Sequence, residues 1–262
     1  MMGSQWLLVG GGAFLAGGMN ALAGGGTFFS FPALLAAGVP PVMANATNTV
    51  GLCPASLAGA WAYRREAWRH GSWALVLALF SLVGGLAGGL LLLATGDAAF
   101  SRLIPWLLLI ATELFAFSRP IAHLVARGKQ RFLGAVQGDR RPGSPGGALL
   151  QLAVAVYGGF FGAGMGILTL AALSIQGFED MQELNALKNL TSGLNYAVSA
   201  LTFIIAGAVS WPHALLMLVT GLAGGYGGAR LARRIPGPWL KALVVGLGTL
   251  LTLIYFRKTY FL

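Results

Sequence analysis

Two glycine runs interrupt long apolar stretches of this sequence and are its first candidates for binding chemistry. The first run, 24–26 (GGG), lies inside the apolar stretch 6–37, and the second, 162–166 (GAGMG), lies inside 148–176. A helix that is interrupted inside a membrane exposes free N–H groups at the positive end of its dipole. A small anion can bind there, and glycine lets it approach the backbone closely. The alternative is that the glycines only permit tight helix packing.

A cluster of amide and hydroxyl side chains follows each glycine run. Unpaired amides are costly in hydrocarbon, so we expect them to face one another or an aqueous cavity. The alternative is that they form hydrogen bonds that only hold the helices together. The predicted substrate-binding residues, taken from both runs and both clusters, are Gly24, Gly25, Gly26, Asn45, Thr47, Asn48, Gly164, Gly166, Asn185, Lys188 and Asn189.

Lys188 is the most informative of these residues, because ionisable side chains inside membranes are rare and usually functional. It lies close to the start of an apolar span, where its charge suits an anionic ligand and opposes a cation. The alternative is that its long side chain reaches the membrane interface. Glu113 lies inside another apolar span and is a candidate for carrying a coupling proton or for pairing with a basic group elsewhere.

Motifs typical of enzymes are missing from the sequence. It contains no HExxH, no GxSxG, no Cys/His metal spacing and no phosphate-binding loop followed by Lys-Ser/Thr. We therefore predict no catalytic residue, no metal and no cofactor. Cys53 is the only cysteine, so an intrachain disulfide is excluded.

The composition indicates a protein that is embedded in a membrane. Only 9% of the residues are charged and 56% are hydrophobic, whereas about 25% of a typical soluble domain is charged. The net charge of +10 does not predict nucleic-acid binding, because the basic residues fall in short gaps between apolar runs. Such a distribution is an orientation signal for membrane insertion.

The lengths of the apolar stretches predict the membrane segments. A hydrocarbon core about 30 Å thick needs about 20 helical residues. Each glycine-interrupted stretch is too long for one simple span and short for two, so we expect a broken or re-entrant helix pair. With the full spans, this predicts an all-α integral membrane protein with about 8–10 membrane segments. The full spans are predicted at 46–63, 73–95, 103–125, 185–206, 211–231 and 239–256.

A polar linker divides the chain into two similar halves. We predict an N-terminal membrane repeat at 1–126, a basic cytoplasmic linker at 127–147 and a C-terminal membrane repeat at 148–262. The glycine runs match across the halves, and Asn48 then falls on Asn189. An ordered series of such matches indicates an internal repeat.

The basic residues also predict that the two repeats have opposite orientations. The loop 64–69 is basic, whereas its match in the second half, 207–212, has no Lys or Arg. Basic loops lie preferentially in the cytoplasm. Matching loops would then lie on opposite sides of the membrane, which is an inverted-topology repeat with both termini outside. Arg257 and Lys258 count against that last step.

The order and spacing of these motifs resemble those of the TauE/SafE family of sulfite exporters, over nearly the whole chain. The motifs are GGG at 24–26 with Pro32, ANATN at 44–48, GAGMG at 162–166, NALKN at 185–189 and GAVSW at 207–211. The resemblance implies a four-plus-four helix permease for sulfite, sulfonates or related sulfur-containing anions. One difference is Ala171, which stands where the second repeat of the family often has proline.

We therefore expect a secondary active transporter of a small sulfur-containing anion, driven by an ion gradient. A passive anion channel with the same pore residues and a non-transporting membrane scaffold are the alternatives. The expected location is the inner cell membrane, with several crossings. The expected partners are the small anion and the lipid bilayer, with homo-oligomerisation left open and nucleic acid excluded.

Overall fold

A computed structural model describes residues 2–22, 25–117, 145–178, 180–231 and 237–261 of the chain. Within these ranges the secondary structure is helical and no β-strand occurs, which confirms the all-α prediction. The helices are α1 (Met2–Leu22), α2 (Thr27–Ala36), α3 (Pro41–Ala62), α4 (Arg64–Trp68), α5 (Ser72–Ala116), α6 (Pro145–Phe160), α7 (Met165–Ile175), α8 (Met181–Ile205), α9 (Trp211–Leu231) and α10 (Gly237–Tyr260).

Both glycine runs interrupt the helical backbone. The φ angle is +87° at Gly25, between α1 and α2, and +79° and +77° at Gly162 and Gly164, between α6 and α7. Residues with a side chain rarely adopt such angles, so glycine is required at these turns. The helices that follow, α2 and α7, have 10 and 11 residues. At about 1.5 Å per residue, each is long enough for roughly half of a bilayer core.

The short helices α2 and α7 also end in the same way. Each is followed by a glycine with positive φ, +84° at Gly38 and +107° at Gly177. The residue after this glycine donates its backbone N–H to a carbonyl in the last turn of the helix, as in a Schellman motif. These bonds join Val39 to Leu34 at 3.1 Å and Phe178 to Leu173 at 3.2 Å. Both interrupted stretches therefore have the same order of break, short helix and glycine-terminated end.

Helix α5 is two consecutive helices that meet at a bend. The backbone leaves the helical region at Gly96 (φ 71°, ψ 163°). Next to it, the Asp97 carboxylate accepts a 2.8 Å hydrogen bond from the Val42 N–H at the start of α3. The parts before and after the bend correspond to the spans predicted at 73–95 and 103–125, the second of which is described only to residue 117.

Close glycine contacts join the two halves of the chain. Helix α1 packs against α9, and α5 packs against α6. A Cβ atom on Gly17 would overlap the Gly221 carbonyl, and one on Gly88 would overlap the Val156 carbonyl. Close backbone approach of this kind requires small residues. At these positions, outside the two glycine runs, the glycines serve helix packing.

Helices α3 and α8 lie side by side and run in opposite directions. Near the end of α3, Ala60 is the closest neighbour of Gly193, at the middle of α8. Near the start of α3, the Thr47 hydroxyl accepts a 3.0 Å hydrogen bond from the N–H of Ser210, which follows the end of α8. The start of α3 therefore lies beside the end of α8, and the end of α3 lies beside the middle of α8.

Large apolar side chains cover much of the outer surface. Helix α9 exposes Leu215 and Val219, and α10 exposes Leu250 and Leu253. Among the described residues, α5 and the 241–260 part of α10 are long and apolar enough to cross a membrane. Helices α3 and α8 are also long, but they carry the polar clusters, which lower their mean hydropathy.

Candidate functional site

A cavity of about 800 Å³ lies between the two halves. Its wall is built from the ends of α1 and α3, both glycine breaks, the first turn of α7, and parts of α8 and α9. Of the predicted site residues, six line it: Gly25, Gly164, Gly166, Asn185, Lys188 and Asn189. The two interrupted stretches therefore contribute to one cavity.

The first turn of α7 faces this cavity. Gly164 and Gly166 both line it, and a Cβ on Gly166 would lie 3.7 Å from Cδ of Lys188. The Gly166 N–H has no acceptor among the described residues. A helix start combines free N–H groups with the positive end of the dipole, which favours an anion. The backbone and the lysine side chain therefore present positive charge to the same space.

Lys188 is the one charged side chain among the lining residues that the structure describes. It is half-buried, and its Nζ atom donates to Asn185 Oδ1 at 3.3 Å. That distance is slightly longer than usual for a hydrogen bond, and an ammonium has three donors. No carboxylate in the described part of the chain forms a salt bridge with it. Lys188 is therefore available to an anionic ligand.

The neighbouring amides on α8 are held at the cavity wall. Asn185 donates from Nδ2 to the Met181 carbonyl at 2.8 Å, which orients its Oδ1 towards Lys188. Asn189 faces α3, and its Oδ1 lies 3.7 Å from the position that a Cβ on Gly59 would occupy. Both amides line the cavity. They can orient a bound ligand through hydrogen bonds without adding charge.

The glycine break of the first half differs from that of the second half. The Gly26 N–H donates to Asn20 Oδ1 at 2.9 Å. Because this N–H group already has an acceptor, Gly26 does not present it to the cavity. Gly25, Asn20 and Thr27 line the wall here, together with Tyr196 from α8.

The first polar cluster lies inside the helix bundle and does not line this cavity. Asn45, Thr47 and Asn48 are fully buried or nearly so. Each has a hydrogen-bond partner from another element, and none of these partners lines the cavity. The bonds are from Asn45 Nδ2 to the Phe160 carbonyl at 3.0 Å, from the Ser210 N–H to Thr47 Oγ1 at 3.0 Å, and from the Ser30 hydroxyl to Asn48 Oδ1.

Glu113 and Gly24 are the remaining predicted residues. Glu113 is exposed near the end of α5 and is not part of the cavity wall. Gly24 lies outside the described residues, as does the predicted linker 127–147 except for its last three residues. In the described part of the chain, no group of three or more His, Cys, Asp or Glu residues is placed to hold a metal ion.

Comparison with known proteins decides the family. The family model for the sulfite exporter TauE/SafE matches residues 9–255. The chain belongs to this family. It is therefore a helical membrane protein of a transporter family, and neither the family nor its relatives are described as enzymes.

Curated relatives of this TauE/SafE member carry transporter names. A probable membrane transporter protein of Haemophilus influenzae is 26% identical over 242 residues, which cover 91% of this chain and 89% of that protein. The probable membrane transporter protein YfcA of Escherichia coli K12 is 30% identical over 221 residues, covering 84% and 77%. A Sinorhizobium relative, named probable membrane transporter protein ORF9, is 29% identical over 236 residues, covering 89% and 85%. No solved structure is significantly similar to the chain.

Several cavity residues of this family member were not among the predicted binding residues. They include Asn20, Thr27, Ser56, Ser192 and Tyr196. Thr27 directly follows the first glycine run, and Ser192 lies one helical turn after Lys188. Adjacency to a break and helical spacing could therefore have indicated these two. For Asn20, Ser56 and Tyr196, only the packing of the helices decides which way the side chain faces.

Proposed function

We propose that the chain is a secondary active transporter that carries a small sulfur-containing anion, such as sulfite or a sulfonate, across the inner cell membrane. The observation that supports it best is the placement of Lys188. A lysine that forms no salt bridge with a described carboxylate, beside the start of α7 in a cavity shared by both halves, suits one small anion. Transport is driven by an ion gradient in this proposal, since the sequence has no nucleotide-binding loop.

The cavity favours a monovalent sulfonate over a bare inorganic dianion. One lysine supplies a single positive charge, which matches a single negative charge. The volume of about 800 Å³ lies in the range of pockets that hold organic ligands. Apolar side chains of Ile167, Leu170 and Leu222 also line the wall. They offer contacts for an organic tail, while Lys188 and the Gly166 N–H hold the sulfonate group.

We further propose that the two halves are inverted-topology repeats. The antiparallel pair α3 and α8, the equivalent breaks at Gly25 and Gly164, and the equivalent ends at Gly38 and Gly177 support this relation. Transporters built in this way expose a central site by moving one bundle against the other. A structure whose halves superpose through an axis along the membrane normal would contradict this.

The proposed topology places the basic segment 64–69 and the linker 127–147 in the cytoplasm, with several membrane crossings. The density of arginines at 64, 65 and 69 supports it, because basic loops remain on the cytoplasmic side. Single cysteines can be introduced and labelled in a Cys53→Ser background, since Cys53 is the only native cysteine. Labelling of the linker from outside intact cells would reverse the assignment.

Flux into proteoliposomes tests the transport proposal. We expect uptake of a small sulfonate that saturates with concentration and responds to an imposed pH or sodium gradient. Binding of sulfite, sulfate, thiosulfate and alkyl sulfonates to the purified protein identifies the preferred anion. Current without gradient coupling would instead indicate a channel, and the absence of both flux and binding would indicate a scaffold.

A further inference from the structure

A second concave region lies on the outside of the bundle, where α3 ends and α4 begins. This groove, of about 500 Å³, is lined mostly by apolar side chains, which include Leu57, Trp61, Trp68 and Leu190. Arg64 is the one charged residue in its wall. We call it the α3–α4 groove. It is a separate region from the central cavity, although Ala58 lies between them and lines both.

Both tryptophans in the wall of the groove are exposed. Trp61 is 69% exposed and Trp68 is 48% exposed. Tryptophan collects at the level of the lipid headgroups, where its ring meets the acyl chains and its N–H meets water. The basic segment 64–69 lies at the same level, because it connects two long helices. The groove therefore opens at the boundary between acyl chains and headgroups.

The arginines beside the groove have no acidic partner in the part of the chain that the structure describes. Within the described residues, Arg64, Arg65 and Arg69 form no salt bridge. Glu66, which lies among them in sequence, has its Oε2 atom buried and without a hydrogen-bond partner, so that oxygen is turned away from the surface. Arg65 and Arg69 are exposed. The net charge beside the groove is therefore positive.

Arg64 is held in place by its neighbour Trp61. Its guanidinium lies 4.1 Å from the centre of the Trp61 ring, and Nη1 donates to the Trp61 carbonyl at 2.7 Å. A guanidinium has five N–H donors in a planar fork that matches phosphate oxygens. One bond to a carbonyl leaves donors free for a phosphate.

We propose that the α3–α4 groove binds one anionic phospholipid. One acyl chain lies along Leu57 and Leu190, and the headgroup phosphate meets Arg64 with Arg65 and Arg69 nearby. Basic pockets beside membrane helices bind anionic lipids in this way. Because Ala58 and the α8 residue Leu190 form part of the groove, a bound lipid would also brace the contact between α3 and α8.

Native mass spectrometry of the purified protein tests this site. The protein is exchanged into nanodiscs with phosphatidylglycerol or phosphatidylcholine of identical acyl chains, and the lipid that stays bound is counted. We expect the parent to retain phosphatidylglycerol several-fold more than phosphatidylcholine, and Arg64→Gln or Arg65→Gln to lower this retention about fivefold. The matched control, Arg257→Gln, removes an exposed arginine of α10 and should retain the lipid as the parent does.

A third variant tests the contact with the acyl chain separately from the contact with the headgroup. Leu57→Trp fills the groove at a position that is already 40% exposed, so it should fold normally and lose the lipid with all arginines intact. Excess inorganic phosphate should not displace the lipid. Equal retention of both lipids, full retention in Arg64→Gln, or displacement by phosphate alone would each overturn the proposal. The result does not depend on transport activity.

Discussion

The two polar clusters of this chain match in sequence but differ in their surroundings. On α8, Lys188 and Asn189 face a cavity, and the ammonium has only one weak hydrogen bond. On α3, the matching residues Thr47 and Asn48 are buried and bonded to Ser210 and Ser30. The α8 cluster therefore faces a cavity, as a binding site requires, whereas the α3 cluster forms contacts between helices.

This difference shows that clusters with matching sequences can have different surroundings. A buried amide or hydroxyl with a partner contributes to stability, and removing that partner costs the desolvation of the group left behind. A polar group that faces a cavity can exchange water for a ligand at little cost. Substitutions in the α8 cluster should therefore change anion affinity, and substitutions in the α3 cluster should change stability.

The largest effect is expected for Lys188→Ala. Loss of a charge-assisted contact is worth about 1.5–3 kcal/mol, which is about ten- to a hundredfold in anion affinity. Isothermal titration with the preferred sulfonate measures it. Lys188→Arg need not restore binding, because a guanidinium is bulkier and forked. Unchanged affinity in folded Lys188→Ala would mean that the lysine only reaches the membrane interface.

The sharpest comparison pairs Asn48→Ala with Asn189→Ala. We expect Asn48→Ala to lower the free energy of unfolding by about 0.5–1.5 kcal/mol, because it removes one buried acceptor of the Ser30 hydroxyl while the Gly26 carbonyl, at 3.3 Å, remains. Asn189→Ala should instead weaken anion binding by about fivefold with little change in stability. Thermal unfolding in detergent and titration of both variants measure the two effects. If Asn48→Ala weakened binding as much as Asn189→Ala did, the two clusters would share one role.

A smaller effect is expected for Gly166→Ala. The added Cβ meets Lys188 Cδ at 3.7 Å, an ordinary contact, so the fold should be kept. The methyl group covers the backbone at the start of α7 and should reduce affinity by roughly threefold through a lost or lengthened N–H contact. Gly246→Ala, which meets nothing within 4 Å, is the matched control. Equal affinity of both variants would exclude the α7 backbone from the site.

The smallest effect on binding is expected for Glu113→Gln. Glu113 does not line the cavity, so anion affinity should match that of the parent. If Glu113 carries the coupling proton, as the sequence suggests, the variant should lose the response of flux to a pH gradient. Flux measured with and without the gradient decides this. A change in affinity would place Glu113 within reach of the ligand.

The sequence was sufficient to predict the breaks and the most important side chain of the candidate site. A glycine run weakens the helix at its own position in the sequence, so the turns at Gly25 and Gly164 could be predicted without knowing the tertiary packing. Lys188 could be singled out because a charge within an apolar span has few explanations. The bend at Gly96 lies between the spans predicted at 73–95 and 103–125, so the sequence also indicated this interruption.

The surroundings of the first polar cluster could not be predicted. Thr47 bonds to a residue 163 positions away, and Asn45 bonds to one 115 positions away. Such pairs depend on how whole helices pack, which no local pattern specifies. The hydrogen bond from the Gly26 N–H to the Asn20 side chain could not be predicted either, because it depends on the direction in which α1 ends.

The interlocked packing of the halves has a consequence for how the chain matures. Helix α1 emerges from the ribosome before α9, yet its glycine surface fits against α9, which begins roughly 190 residues later. At about 5–20 residues per second, that partner is synthesised about 10 to 40 s afterwards. During this interval α1 is surrounded by lipid or by the insertion machinery. A nascent chain stopped before α9 would therefore leave its first helix without a permanent neighbour, open to capture by quality-control proteases.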